Sequence, residues 1–566
     1  MADNLGCMSQ SLYSVSIYDT LGPDTAQYII NHAELTCVAA SLPKIPALLK
    51  IKSNCPSLKI IVSLDPLDAG EPTGNSKRDI LRQMAEDVDI QIYTLDEIEA
   101  IGAALNRPYN PPTADDVVTI NYTSGTTGNP KGVILTHRNA VAAASNASVG
   151  TNHGTEEIIC SFLPLAHIFA RMAEAAGLWG GIQIGYFHGD TLGLLDDLKI
   201  LKPTLLIVVP RLLNRFGGGI KAASIDAPGF KGALSRQALS TKLTNLNDPV
   251  NPTNKHMFYD RIWSRKVRQQ MGMDRIKALV SGAAPLDGSM QQFLRASWGA
   301  VVAQGYGMTE SYASTMVQMV DDFSTGNLGG MLPGAEACLQ SIPDMEYYVT
   351  DKPFPRGEIL LRGHTIFKGY LKDDEETAKS FTEDGWFKTG DVGAIDAQGR
   401  FKVIDRKKNV LKLAQGEYIA PERIEGVYLT ACNYLAVAFV HGDSDKTFPV
   451  AMFGIQPDVF ATWASKVLGH SISETDIEAL KRAIKDPKVV AAVRKDVDRA
   501  GRKAKFAGFE RVRGIKLYLD PFSIENDLMT PTLKLKRPKV VKAFRQDLDE
   551  LYAGAEEKDQ KVKARL

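Results

Sequence analysis

Neither sign of charge dominates this chain. Its 566 residues carry 66 Lys and Arg against 66 Asp and Glu, so there is no global field to draw in a polyanion, and nucleic-acid binding is not expected. Cysteine is sparse: Cys7, Cys37, Cys55, Cys160, Cys338 and Cys432 form no C-x-x-C pair. That spacing argues against a zinc site and for reduced, structural thiols in an intracellular protein. No apolar run approaches membrane-spanning length, and the greasiest short piece, Leu205-Leu206-Ile207-Val208-Val209, stops at Pro210 and reads as a buried strand. The expectation is a soluble protein, peripheral on a membrane at most. The N-terminus also lacks the basic, apolar and small-residue order of a secretory signal.

What is present suits a multi-domain enzyme, with 44% hydrophobic and 23% charged residues. Up to about residue 404, short β-branched runs such as Lys59 to Ser63 and Thr204 to Val209 alternate with longer helical-period segments. This predicts an α/β fold with layered, largely parallel sheets. Within it, residues 346–404 predict a small β-rich subdomain, with strands at Tyr347-Tyr348-Val349, Gly357 to Leu361 and Phe401 to Ile404 separated by turn signals. Asp405-Arg406-Lys407-Lys408 then reads as a charged, exposed break between an N-terminal domain (1–404) and a smaller α+β C-terminal domain (405–566). The latter predicts a charge-rich helical stretch from Ile477 to Lys505 and a strand at Gly514 to Tyr518.

The most informative segment is Tyr122-Thr123-Ser124-Gly125-Thr126-Thr127-Gly128-Asn129-Pro130-Lys131-Gly132. Glycines let the backbone turn its N–H groups toward an anion, hydroxyls add donors and Lys131 adds a point charge, which together suit a phosphate. A strand through Val117, Val118 and Ile120 enters the loop, Val133-Ile134-Leu135 leaves it, and Thr136 can cap a helix to about Ala147. Lys131 follows Pro130 and precedes Gly132, so this is not the Walker motif of P-loop NTPases. A flexible Ser/Thr/Gly connection is the alternative for the loop taken alone.

Four further segments stand downstream: Gly282-Ala283-Ala284-Pro285; Gln304-Gly305-Tyr306-Gly307-Met308-Thr309-Glu310; the block from Asp384 to Lys408; and Thr530-Pro531-Thr532-Leu533-Lys534-Leu535-Lys536-Arg537. With the loop, they make nearly the whole chain resemble the adenylate-forming superfamily, specifically long-chain fatty acyl-CoA synthetases. The Asp384 to Lys408 block resembles the narrower signature of fatty acyl-CoA synthetases.

The resemblance implies ATP and CoA as co-substrates, Mg²⁺, and a long-chain fatty acid. The phosphate loop would be Thr123, Ser124, Gly125, Thr126, Thr127, Gly128 and Lys131. Gly282, Ala283 and Ala284 would wall the adenine, with small residues that let a flat ring lie on backbone. Gln304, Gly305 and Tyr306 would complete that site, Tyr306 by stacking. Thr309 would meet the α-phosphate, while Glu310 and Thr126 would supply oxygen to the metal. Asp391 would accept two ribose hydroxyls and Arg406 would reach the same sugar.

His167, amid Leu163 to Arg171, would lie near the acyl carboxylate; a satisfied core histidine is the alternative. Lys534 would bridge the attacking carboxylate and the triphosphate as the catalytic lysine. Lys536 stays open as an alternative, because Leu533 stands where many relatives have glycine. Asp405 would be the hinge of a rotating C-terminal domain, and Gly416-Glu417-Tyr418 a loop on the CoA side. Other adenylate-forming ligases of medium-chain or aryl acids, and an inactive lipid- or nucleotide-binding homologue, stay open as alternatives.

Two terminal features complete the reading. The segment Tyr18-Asp19-Thr20-Leu21-Gly22 comes early for a eukaryotic long-chain synthetase, as if a leading portion on the order of a hundred residues were missing. Reduced stability from an uncovered sheet edge is the corresponding expectation. The chain ends Ala564-Arg565-Leu566, which resembles the S-K-L address read by the peroxisomal import receptor. Peroxisomal localisation is expected, with cytoplasm or the endoplasmic reticulum surface as the alternatives.

Overall fold

The computed structural model describes all residues except 1, 18–21, 71–76, 124–128, 147–148, 150–153, 192, 416, 524, 531–533 and 564–566. Ser124, Gly125, Thr126, Thr127, Gly128, Gly416 and Ala564-Arg565-Leu566 therefore lie outside the described residues. The chain divides into two compact units. One comprises Met1–Arg138, Phe367–Thr377 and Met529–Lys536; the other comprises the remainder.

The first unit holds two sheets. Cys37–Ala40, Ile60–Ser63 and Gln91–Thr94 pair in parallel. The helix Leu95–Leu105 follows directly, started by a capping box in which Thr94 and Glu97 satisfy each other's backbone N–H groups. The second sheet runs in the order Ser14–Ser16, Val117–Thr123, Lys131–Thr136, Gly369–Tyr370. Its central hairpin, Val117–Thr123 against Lys131–Thr136, is antiparallel and carries the hydroxyl-rich loop between its arms. Gly132 is closely packed here. A Cβ would fall about 3.1–3.2 Å from Ile120, Tyr122 and Leu371, so a larger residue would require all three side chains to give way slightly.

In the second unit a seven-stranded sheet runs Gly330–Met331, Met316–Val317, Val301–Tyr306, Ala278–Ser281, Leu205–Val208, Ile158–Ser161, Gln183–Tyr186. The last five strands pair in parallel, and the first two add on antiparallel. The parallel strands are β-branched and leucine-rich because helices such as Gly288–Trp298 pack on them, burying Leu206, Val208, Leu279, Val302, Leu294 and Trp298. Asp287 starts that helix by accepting from the N–H groups of Ser289 and Met290.

A four-stranded antiparallel sheet follows: Ala335–Gln340, Arg356–Gly363, Phe387–Ile395, Phe401–Arg406. It begins before residue 346, and the expected strand at Tyr347 to Val349 is absent. Glu346 turns left-handed (φ 57°), Tyr347 makes an isolated bridge to Ile342, and its ring packs beside Ile342, Met345 and Val392. Only Tyr347 of the triplet packs against the sheet; Tyr348 and Val349 are exposed.

Asp405 is also not an exposed break: it is a residue of the strand Phe401–Arg406, paired with Val392 and buried. Beyond it, a core from Leu413 to Leu517 surrounds the sheet Leu435–His441, Val450–Ile455, Gly514–Tyr518. The expected long helix is two, Ile477–Ala483 and Pro487–Lys503, because Pro487 has no N–H to continue the first and suits the start of the second.

Candidate active site

Three separated segments meet in the second unit. Tyr306 ends the strand Val301–Tyr306, and its hydroxyl donates to Asp391 Oδ2 at 2.6 Å. Asp391 stands opposite Arg406 in the antiparallel ladder, and Arg406 Nε lies 3.4 Å from Asp391 Oδ1. Asp391 is buried while Arg406 is partly exposed. Asp391 raises the Arg406 pKa, and burial followed by Asp391 raises that of Tyr306 well above its ordinary value. A buried carboxylate with a phenol on one oxygen and a guanidinium near the other is a preorganised acceptor for polar ligand groups.

The chain after Tyr306 closes tightly. Thr309–Ser311 is one turn of 3₁₀ helix, followed by two left-handed residues, Tyr312 (φ 50°) and Ala313 (φ 65°). Two consecutive non-glycine residues there store strain. A Cβ on Gly307 would fall 2.2 Å from the Ala313 carbonyl oxygen, so glycine is obligatory. The Ala313 and Ser311 N–H groups both reach Met308 O, which fixes Glu310 as a buried carboxylate. No group of three or more His, Cys, Asp or Glu able to hold a metal occurs among the described residues. A single carboxylate fits Mg²⁺, which keeps waters and takes its other ligands from substrate phosphates.

At the C-terminal end of Ala278–Ser281, Gly282 faces the Phe169 ring (a Cβ would be 3.0 Å away) and Ala283 turns left-handed at φ 70°, with Ala284 exposed. Phe169 follows His167, whose Nδ1 caps the helix Ile168–Trp179 by accepting from the Phe169 N–H at 3.1 Å. Gln304 is buried and internally engaged, its Oε1 accepting from Leu286 N–H and its Nε2 donating to Gln291; Gly305 pairs with Val317.

The remaining candidates lie elsewhere in the chain. Thr123 and Lys131 frame the loop in the first unit. Lys131 pairs with Glu376 and lies 5.1 Å from the Tyr370 ring centroid. Lys534 lies in the same unit, its carbonyl accepting from the Thr530 N–H (2.7 Å) and its own N–H donating to Thr530 Oγ1 (3.0 Å). Lys536 is next but one, past the Met529–Leu535 bridge. Glu417 and Tyr418 belong to the second unit, where the Tyr418 hydroxyl donates to Asp344 O at 2.6 Å. There, too, burial and Glu422 raise the Asp405 pKa; one Asp405 oxygen accepts from the Arg406 N–H.

A family model described as "AMP-binding enzyme" matches residues 2–371. The chain belongs to the AMP-binding enzyme family. Over 565 residues it is 58% identical to "Acyl-CoA ligase 891, peroxisomal" of Penicillium brevicompactum, covering 100% of this chain and 80% of that protein. It is 38% identical to "Long chain acyl-CoA synthetase 7, peroxisomal" of Arabidopsis thaliana over 97% of this chain and 75% of that protein. Among solved structures, the adenylation domain of a Mycobacterium chelonae carboxylate reductase matches with a TM-score of 0.77 and 25% identity, over 97% of this chain and 78% of that one.

In this AMP-binding enzyme several working residues escape sequence reading. Glu376 and Tyr370 hold Lys131, and Thr389 accepts the Asp391 N–H at 3.0 Å. Arg537, three residues past Lys534, pairs with Glu425 at 2.6 Å. Arg537 carried a signal in its basic run, but its partner lies 112 residues away and no local pattern links the two.

Proposed function

We propose that the chain ligates a long-chain fatty acid to CoA in two steps, forming an acyl-adenylate and pyrophosphate from ATP and then acyl-CoA and AMP. The observation that carries this reading is the alignment of the whole chain, from the hydroxyl-rich loop to the Lys534 segment, with proteins named as acyl-CoA ligases.

In this reading Asp391 and Arg406 receive the ribose, Tyr306 and the Gly282-Ala283-Ala284 turn flank the adenine, and Thr123 and Lys131 frame the loop that grips the outer phosphates. Gln304 acts through its hydrogen bonds, holding the turn that ends at Leu286. Thr309 meets the α-phosphate. Glu310 would hold Mg²⁺, which supplies charge neutralisation at the phosphates. His167, with Nδ1 committed to the helix, lies near the acyl carboxylate. Lys534 neutralises charge shared by the attacking carboxylate and the α-phosphate, an effect greatest where water is excluded.

Thiol attack follows rotation of the part after Asp405, which brings the Glu417-Tyr418 side to the CoA. The self-contained core from Leu413 to Leu517 supports such a moving unit. The tripeptide Ala564-Arg565-Leu566 would direct the protein to peroxisomes through the import receptor, in keeping with relatives named as peroxisomal. No helix among the described residues is long and apolar enough to cross a membrane.

The deciding experiment is CoA-dependent AMP production with fatty acids of increasing length, an aryl acid and no acid. Turnover concentrated on long chains is expected. Turnover with the aryl acid alone, or none above the blank, would overturn the reading. Deleting the last three residues from a fluorescent fusion should move it from punctate to diffuse distribution.

A further inference from the structure

The ribose pair is held from behind. Between Arg356–Gly363 and Phe387–Ile395 the register breaks: Glu358 pairs with Val392, but Leu360 pairs with Lys388. Ile359 therefore stands opposite Thr389, Gly390 and Asp391 together. A bulge of this kind re-aims a side chain and strips its backbone groups of ladder partners. Side chains supply the missing partners. Thr389 Oγ1 accepts the Asp391 N–H and donates to Ile359 O at 2.7 Å. Gly390, left-handed at φ 73°, gives its N–H to Glu358 Oε1 at 3.1 Å.

The second Glu358 oxygen reaches Lys407 Nζ at 3.2 Å, and the Lys407 N–H closes the group by donating to Gly390 O at 2.8 Å. Glu358 is buried, in a strand whose next three residues, Ile359, Leu360 and Leu361, are buried hydrocarbon. An ionised carboxyl there is costly to desolvate unless each oxygen is engaged. Both are engaged, one on the residue before Asp391 and the other on the residue after Arg406.

We propose that Glu358 is a positioning residue for nucleotide binding: by tying Gly390 to Lys407 it sets the spacing and aim of Asp391 and Arg406 toward the ribose hydroxyls. This rests on the ribose role given to Asp391 above. Glu358 does not touch the nucleotide. Its loss should therefore be felt as poorer discrimination of the sugar.

The test uses the full chain and measures kcat and KM for ATP, 2′-deoxy-ATP and 3′-deoxy-ATP, with Glu358→Ala, Glu358→Gln, Lys407→Ala and the control Asp391→Ala. Glu358→Ala should raise KM for ATP about tenfold, change kcat far less, and cut the preference for ATP over the deoxynucleotides at least about threefold. Glu358→Gln keeps an acceptor for Gly390 but loses the charge for Lys407, so it and Lys407→Ala should fall between Glu358→Ala and the parent. A purely structural role would lower activity with all three nucleotides alike. If Glu358→Ala is insoluble, Glu358→Gln decides.

Unchanged discrimination in the soluble Glu358 variants, with discrimination lost in Asp391→Ala, would overturn the proposal. Unchanged discrimination in Asp391→Ala would instead sink the ribose reading beneath it.

Discussion

Two arginine–carboxylate pairs in the second unit share a chemistry and differ in setting. Arg406 and Asp391 stand 3.4 Å apart with side chains 43% and 6% exposed; Arg537 and Glu425 stand 2.6 Å apart at 13% and 10%. The first pair is loose, with its cation open to solvent. The second is shut. Arg537 also donates to Val440 O, Glu425 also accepts the Val440 N–H, and the guanidinium lies 5.5 Å from the Phe439 ring. Both arginines come from basic runs that look alike in sequence. What separates a group able to serve a ligand from one committed to the fold is whether its remaining donors are already taken.

The largest test of that contrast is Arg537→Ala. It leaves Glu425 buried without its cation, and should lower the unfolding free energy by about 3–5 kcal/mol in urea titrations, with much of the loss recovered in Arg537→Ala/Glu425→Gln. A loss below about 1 kcal/mol would put the closed pair in the same class as surface pairs. Lys534→Ala comes next. It removes a cation three residues upstream and should slow acyl-adenylate formation about 10²–10³-fold while sparing thioesterification of supplied acyl-adenylate. Equal loss in both half-reactions would reject its assigned role.

A third test uses pH. Burial and Glu422 push the Asp405 carboxyl up to about 7, whereas an unfolded carboxyl ionises near about 4. The folded state therefore loses stability through this group as pH rises from about 4 to about 7. Asp405→Asn should gain steadily on the parent across that window and hold the gain above it. A constant difference from pH 4 to 8 would show that Asp405 titrates normally. Smallest in free energy, Asp391→Ala should raise KM for ATP roughly tenfold with little change in unfolding midpoint; a large stability loss would make the open pair structural after all.

The α/β architecture was legible because parallel strands buried on both faces must be continuous apolar runs, as Leu205–Val208 and Ala278–Ser281 are. The loop hairpin and the Tyr306-to-Glu310 segment were legible as concentrations of chemistry in consecutive residues. Asp405 was misread because a charge run suggests solvent, yet strand alternation held the clue: Phe401 and Asp405 share the buried face of Phe401–Arg406. Tyr347 to Val349 failed for a different reason: after the left-handed turn at Glu346 only Tyr347 packs inward, and Tyr348 and Val349 are left exposed with no ladder to join. Glu358 and Glu425 escaped because their partners, Gly390, Lys407 and Arg537, are brought to them by the fold over long sequence separations.

Lys131 has a last consequence. Its ammonium is matched to Glu376 and set near the Tyr370 ring, so the four-carbon stem, which carries about 2 kcal/mol of rotamer entropy when free, is already ordered. For a cation assigned to phosphate, arrival of the nucleotide is then a change of partner and not a capture. On that assignment one carboxylate would be traded for a more highly charged anion. The apparent strength of the loop for ATP is accordingly a difference between two anions, and neutralising Glu376 would shift that balance without altering any group that touches the nucleotide.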